Sequence, residues 1–278
     1  MEKKYSQPLN ITTMCLVLLL LCLVGCSTTP GTTPASTLIS SPAVTPELIP
    51  IALSFPGVNL YYPFCENAND RSGNQNHGKV HGPALTQDRF GTPDCAYHFD
   101  GIDDDITFDA SKMPVGDSPR TLSAWVNAES FPAAPENFPS LGSRASIVGW
   151  GVDDTGQLSE MQITENRLTY HVYNYDVWSS ATVELNQWYH LVIVYTGQKV
   201  ILYINGNPEE YDSVTLDTKV GSGRIGAFSD PTVKSPLFPD GYDLSYFHGV
   251  IDEICIFNRA LTSEEVLSLY HEGGWNSE

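Results

Sequence analysis

The chain has 278 residues, with 14 Lys and Arg against 33 Asp and Glu, for a formal net charge of −19. So acidic a surface argues against nucleic acid and anionic lipid headgroups as partners, and is compatible with a cation site and with neutral ligands such as glycans. No internal repeat divides the sequence, and its C-terminal four-fifths is long for one domain but normal for one large β-sandwich.

Lys3 and Lys4 give a positive start, and an apolar run from Met14 to Val24 follows. The run is shorter than the roughly 20 residues that span a bilayer, and it suits the apolar region of a signal peptide. It ends in Leu23-Val24-Gly25-Cys26. Small residues before a cysteine at this point resemble the bacterial lipobox, which implies that residues 1–25 are a lipoprotein signal peptide and that Cys26 is lipidated and becomes the new N-terminus. Residues 26–54 are then a lipidated tether: they are almost all Ser, Thr, Pro, Ala and small apolar residues, and Glu47 is the only charge. Such a stretch buries too little apolar surface to offset its ordering entropy, and its prolines keep it extended. Ser27 lacks the Asp that favours inner-membrane retention in some bacteria. The expected location is therefore exported and lipid-anchored to the cell envelope, at the outer membrane or the cell surface. Residues 55–278 are expected to form the folded domain.

Cys15 and Cys22 leave with the signal and Cys26 carries lipid, so Cys65, Cys95 and Cys255 remain. An oxidising compartment predicts one disulfide and one leftover thiol. Cys65 with Cys95 is the expected pair, because it would clip an irregular loop that has few apolar residues to hold it. Closing a loop of about 30 residues is worth roughly 3–4 kcal/mol in the chain-entropy picture. Cys255 sits among Ile251, Ile254 and Ile256 and reads as a buried, inert core thiol.

Strand patterns dominate from residue 95 onward. Residues 121–126 and 168–173 alternate, and residues 189–195 and 199–204 form a hairpin around Thr196-Gly197-Gln198. Asn205-Gly206 then marks a second tight turn, since this pair tolerates positive φ. One segment reads as a helix: Thr262 can cap it while Glu265 reaches back, Val266, Leu267 and Tyr270 supply its apolar face, and Gly273-Gly274 stops it. The helix is expected as a short lid at the end of the sandwich. The predicted fold is all-β, a two-sheet antiparallel jelly-roll sandwich with a short C-terminal helix.

Six segments carry a resemblance in order along nearly the whole domain: Leu60-Tyr61-Tyr62-Pro63-Phe64; residues 69–78 (NDRSGNQNHG); Tyr97-His98-Phe99-Asp100-Gly101; Gln187-Trp188-Tyr189-His190-Leu191-Val192; Leu202-Tyr203-Ile204-Asn205-Gly206; and residues 247–262 (FHGVIDEICIFNRALT). Together they resemble the laminin-G-like jelly rolls of the concanavalin A-like lectin/glucanase superfamily. The resemblance implies two curved antiparallel sheets face to face and fits a Cys65–Cys95 bond. Its members bind glycans, bind proteins, or serve as accessory modules of exported enzymes.

Asp100, Asp103, Asp104, Asp105 and Asp109 crowd one stretch, and Asp252-Glu253 lies on a late strand. Calcium takes six to eight oxygens; the resemblance implies a structural Ca2+ near the sandwich ends with Asp252 at a matching position, and Asp100 and Asp103 of the crowded stretch are the further candidate ligands. The competing reading is that these aspartates are turn residues. Residues 70–76 (DRSGNQN) open like an EF-hand loop but lack its closing Glu and flanking helices, so an Asx-rich turn is expected there. On the 168–173 strand, Leu168, Tyr170 and Val172 should face the core. His171, Tyr173 and Tyr175, with Trp178 in the following loop, are then candidate ligand-binding residues. Sheet-to-sheet packing is the plainer reading, since Tyr is a good strand former. Trp125, Trp150 and Trp188 read as core or its margin. The long loop 230–246, with Leu237, Phe238 and Tyr242, is a candidate protein contact.

Retaining glycosidases need two carboxylates about 5–5.5 Å apart. The only Glu-x-Asp here is Glu210-Tyr211-Asp212, with no second Glu behind it, and no Gly-x-Ser-x-Gly, His-Glu-x-x-His or Cys-x-x-Cys occurs. No catalytic residues are expected. The leading expectation is a non-catalytic, surface-tethered carbohydrate-binding module, the alternative is an adhesion or assembly module for an extracellular or envelope protein, and a glycoside hydrolase comes third.

Overall fold

A computed structural model describes residues 49–133, 142–152, 154–211, 214–228 and 245–275. The chain divides after Glu47. The expected signal segment, Cys26 and the expected tether up to residue 48 lie outside the described residues, as does most of the 230–246 loop with Leu237, Phe238 and Tyr242.

The domain opens with a short helix, α1 (Ile51–Ser54). Strands β1 (Val58–Tyr62), β2 (Lys79–His81), β3 (Ala84–Thr86), β4 (Ala96–Asp100) and β5 (Asp105–Phe108) follow. The long β6 (Arg120–Ser130) leads to β7 (Arg144–Gly151), β8 (Leu158–Thr164), β9 (Arg167–His171) and β10 (Val177–Thr182). The chain continues through β11 (Trp188–Tyr195), β12 (Val200–Ile204), β13 (Asn207–Tyr211), β14 (Ser222–Ile225) and β15 (His248–Phe257), then α2 (Ser263–Tyr270). One sheet has eight strands in the order β13-β12-β11-β6-β15-β4-β3, with β1 also paired to β15. The other has seven, in the order β10-β9-β8-β7-β14-β5-β2. This is the all-β two-sheet sandwich that the strand pattern predicts.

The two sheets bury different amounts of themselves, and the sequence of each shows why. Between them, Leu122, Ala124 and Val126 of β6 and Leu191 and Ile193 of β11 meet Met161 and Ile163 of β8 and Leu168 and Tyr170 of β9. Full burial of one such side chain is worth about 1.5–3 kcal/mol. The eight-stranded sheet also buries its outer face: Val192, Val194, Tyr203, Cys255 and Phe257 lie beneath Ala52 of α1 and Leu261, Val266 and Leu269 around α2. Residues 191–195 (LVIVY) are accordingly an unbroken apolar run, as a strand buried on both faces requires. In β8, by contrast, Met161 and Ile163 alternate with Glu160, Gln162 and Thr164, so the outer face of the seven-stranded sheet is polar.

Several local expectations hold. The β11–β12 hairpin pairs Leu191 with Ile204 and Tyr195 with Val200. Asn205 (φ 52°) and Gly206 (φ 76°) make the next turn, into β13. Thr262 caps α2 in a reciprocal box with Glu265. Cys65 and Cys95 form the disulfide and Cys255 is a buried free thiol.

Other expectations are corrected. The helix uses Leu269 where Leu267 was expected, since Leu267 is 44% exposed. It lies against the outer face of the eight-stranded sheet rather than at the sandwich end, and Cys255 belongs to that outer layer. Residues 51–54, assigned to the tether, form α1, whose Ala52 is buried and whose Ile51 N–H donates to Glu272 at 2.7 Å. Among the described residues no helix is long and apolar enough to cross a membrane.

Candidate functional site

The polar outer face of the seven-stranded sheet is built in rows by strand register. Glu160 lies between His171 and Gly149, Gln162 between Thr169 and Ser146, and Thr164 between Arg167 and Arg144. On the edge strand β10, Trp178 stands opposite Thr169. Most of these groups are buried, and buried polar groups are expected to find partners. Ser146 Oγ donates to Glu160, and His171 Nδ1 meets Asp176 Oδ1 at 2.8 Å. The Gln162 amide nitrogen and the Thr164 hydroxyl are buried without a hydrogen-bond partner among the described residues.

The predicted ligand residues separate into two kinds. Leu168, Tyr170 and Val172 face the core, as expected. His171 points the other way, yet it is only 7% exposed and held by Asp176. Burial alone would lower its pKa, but the Asp176 hydrogen bond and the Glu160 and Asp176 charges outweigh burial, so it lies above the ordinary histidine range. Burial correspondingly works to raise Asp176, and His171 overcomes it, holding the carboxyl below its usual range. The two shifts agree in direction: each partner favours the charged form of the other beneath the surface. Tyr175 and Trp178 are instead 54% and 48% exposed. Tyr173 (φ 51°) and Asn174 (φ 68°) form the turn that leads to them. Trp178 lies in β10 rather than in a loop. That strand is tied to β13 of the other sheet, where Glu209 accepts from Ser180 N–H at 2.8 Å and Tyr211 Oη donates to the Trp178 carbonyl. The indole is thus displayed from a fixed backbone.

The expected calcium ligands do not converge. Asp100 sits opposite His248 in the β4–β15 ladder, so Asp252, four residues further along β15, is displaced by roughly 13 Å. Asp252 is committed elsewhere: its Oδ2 accepts from Arg89 Nη1 at 2.6 Å, and both side chains are 4% exposed. Assigning Asp252 to the same ligand set as Asp100 and Asp103 is therefore corrected; a buried arginine already neutralises it. Asp100, Asp103 and Asp104 do bring their carboxylates together. Asp100 Oδ1 also accepts the Ile102 N–H at 2.8 Å, and Asp104 Oδ2 accepts the Asp100 N–H at 2.8 Å, which are turn-forming bonds. Asp70 likewise organises its turn, accepting from the N–H groups of Tyr61, Ser72 and Asn76.

Around Asp252 lies a charged cluster under α1 and α2. Arg89 also pairs with Glu253 at 2.6 Å and sits between the Phe90 and Trp125 rings. Trp125 and Trp150 are buried, and Trp188 is half-buried. Glu253 accepts from Tyr61 Oη at 3.0 Å, and Glu272 is pushed up to about 7 by burial and by Glu253. Arg89 passes unnoticed in sequence because its partners are about 160 residues away. The polar rows of β8 do carry a signal, the alternation of Glu160, Gln162 and Thr164 with apolar residues. Glu210, of the only Glu-x-Asp, is ion-paired with Lys199, and Asp212 lies outside the described residues.

Comparison with known proteins places this arrangement. A laminin-G family model described as the concanavalin A-like lectin/glucanases superfamily matches residues 100–267. No curated protein matches the sequence. Among solved structures, domain 4 of AbnA, a GH43 extracellular arabinanase from Geobacillus stearothermophilus in complex with arabinotriose, aligns at 18% identity and TM-score 0.57, covering 77% of this chain and 98% of that one. The binding domain of Paraclostridial Mosquitocidal Protein 1 aligns at 17% identity and TM-score 0.59, over 79% of this chain and 52% of that one. A Trypanosoma rangeli sialidase mutant displaying trans-sialidase activity aligns at 14% and 0.55, over 77% and 32%. At these identities the likeness is one of fold. The family match spans most of the domain, and the chain belongs to the concanavalin A-like lectin/glucanase superfamily.

Proposed function

We propose that the domain is a non-catalytic module that binds carbohydrate at the β10 edge of the seven-stranded sheet, with Trp178 as its apolar platform. The observation that carries this reading is a half-exposed indole, fixed on an edge strand directly opposite Thr169, with Ser180 exposed two residues further along the same strand. Sugar rings present apolar C–H faces and hydroxyl edges, so a flat ring next to donors and acceptors matches them. Tyr175 extends the exposed aromatic surface, while His171 and Asp176 support it from below. The arabinotriose complex of the arabinanase domain supports this use of the fold. Export and lipidation at Cys26 complete the reading, with the module held at a cell envelope through its tether.

The Ca2+ expected from the resemblance fits only part of its expected set. The converging carboxylates of Asp100, Asp103 and Asp104 are the residues that would hold it, supplying cross-linking of the β4–β5 turn, and Asp252 would not.

A glycan array probed with the full chain, in calcium and again in EDTA, tests the reading. Binding is expected in calcium, and Trp178→Ala should weaken it about tenfold, or ~1.4 kcal/mol. Binding lost in EDTA would support the calcium site. Silence of a folded protein on the array, or a Trp178→Ala variant that binds as well as the parent, would overturn the carbohydrate reading and favour a protein partner.

A further inference from the structure

On the outer face of the eight-stranded sheet, three adjacent strands converge at a second cluster. His98 of β4, His248 at the start of β15 and Glu129 near the end of β6 each place a ligand-type atom within 4.8 Å of the other two. Glu129 Oε2 lies 3.2 Å from His98 Nε2 and 3.4 Å from His248 Nε2. Four ligands arranged tetrahedrally around zinc at about 2.0–2.1 Å stand roughly 3.3 Å from one another. The two Glu129–histidine spacings are therefore close to coordination edges before any side chain moves.

The backbone is shaped to create this meeting. In the β15–β6 ladder His248 pairs with Ser130 and Gly249 with Ala128, so Glu129 is the unpaired residue of a β-bulge. Bulges re-aim side chains, and they gather next to functional sites. Gly249 (φ 138°) permits the approach, since a Cβ there would lie 2.2 Å from the Asn127 carbonyl oxygen. An outer partner is present too: Ser130 Oγ is 2.7 Å from His248 Nδ1. Donation from Nδ1–H to that hydroxyl would leave the Nε2 lone pair for a metal, the tautomer that metal-ligating histidines require. The three side chains are 35–39% exposed, which leaves the entry path and a further coordination position open.

We propose that His98, Glu129 and His248 form a binding site for a divalent transition-metal ion of the zinc type, with a fourth position left to water or to an exogenous ligand. Two imidazoles and one carboxylate are borderline ligands that suit zinc and its neighbours and do not suit calcium, whose sites are built from oxygen. The carboxylates of Asp100, Asp103 and Asp104 lie close by, on the strand end and turn that follow His98, and add negative potential that draws a cation in. The bound ion would clip β6, β15 and β4 together at the end of the sheet.

Titration of the full chain with Zn2+ against a chromophoric chelator tests this. One ion per chain is expected, and His98→Ala or His248→Ala should weaken it about 100-fold or more. Glu129→Gln keeps a hydrogen-bonding group on the bulge and guards against a variant that merely misfolds; Zn2+ should raise the melting temperature of the parent chain and leave that of Glu129→Gln unchanged. Co2+ in place of zinc should give the intense visible bands of a tetrahedral site, absent in His248→Ala. Failure to bind Zn2+ competitively, or one-to-one binding that survives both histidine substitutions, would overturn the proposal.

Discussion

Replacing Arg89 by methionine keeps an unbranched stem between Phe90 and Trp125 and removes only the guanidinium. That group sits 4.5 and 4.6 Å from the two ring centroids and reaches Asp252 and Glu253 at 2.6 Å each. Asp252 is as buried as the arginine, at 4% side-chain exposure. Removing one partner of a buried pair costs about 3–5 kcal/mol, because the other charge is left uncompensated. For a domain of this size each kcal/mol moves the melting temperature by roughly 2–4 °C, so a fall on the order of 10 °C is expected. The loss should depend on pH. Burial and Glu253 hold the Asp252 carboxyl well above its ordinary range, and Arg89 is the main influence opposing them. A carboxyl raised in the folded state favours folding when protonated, a contribution present below its unfolded pKa and lost as pH rises through the folded one. The variant's deficit should therefore be larger at pH 8 than at pH 5. Urea unfolding of parent and variant at both pH values measures it. A deficit below about 1 kcal/mol, or one equal at the two pH values, would refute the assignment of Arg89 as the counter-charge of this cluster.

The His171–Asp176 pair makes the opposite kind of pH claim. His171 is raised and Asp176 lowered. Its stabilisation should be greatest between the unfolded carboxylate and imidazole pKa values, about 4 and 6.5, and be lost above that window as His171 deprotonates and below it as Asp176 takes up its proton. A parent chain and His171→Phe that show the same stability profile between pH 5 and 9 would disprove it. Reducing Cys65–Cys95, which are 30 residues apart, should cost about 3.6 kcal/mol by loop entropy, read as a lower urea midpoint in dithiothreitol. Thr262→Ala removes the hydroxyl that caps α2 and should cost about 1 kcal/mol, seen first as faster hydrogen exchange of the amides in that helix.

What was legible in the sequence is what short-range chemistry encodes. The hairpin around Gly197, the Asn205-Gly206 turn and the Thr262–Glu265 box each rest on residues a few positions apart, and each is present. The disulfide follows from a short roster of cysteines. The role of Asp252 is not legible, because its partner, Arg89, is 163 positions away and no local pattern announces it. The His98–Glu129–His248 cluster is hidden for the same reason: three strands contribute one residue each, and the bulge that turns Glu129 exists only once β15 has paired with β6. The loop expected at Trp178 is instead an edge strand, because pairing with β9 is a tertiary event that the residues around Trp178 do not announce. The burial of the Gln162 amide depends on tertiary structure and has no signature in one sequence.

The double burial of the eight-stranded sheet fixes how the domain can be handled. Its first described residues enter through α1 on the sealed side, where Ala52 is inserted and Ile51 is bonded to Glu272. The rows around Gln162 and Trp178 occupy the opposite side of the sandwich. A surface, bead or fusion partner joined ahead of residue 49 therefore leaves the exposed Trp178 and Tyr175 clear, whereas coupling chemistry aimed at β10 would mask Trp178. Pulling on the same end loads α1 and the β1–β15 ladder first, so tension at the point of attachment reaches the far side only through the whole thickness of the core.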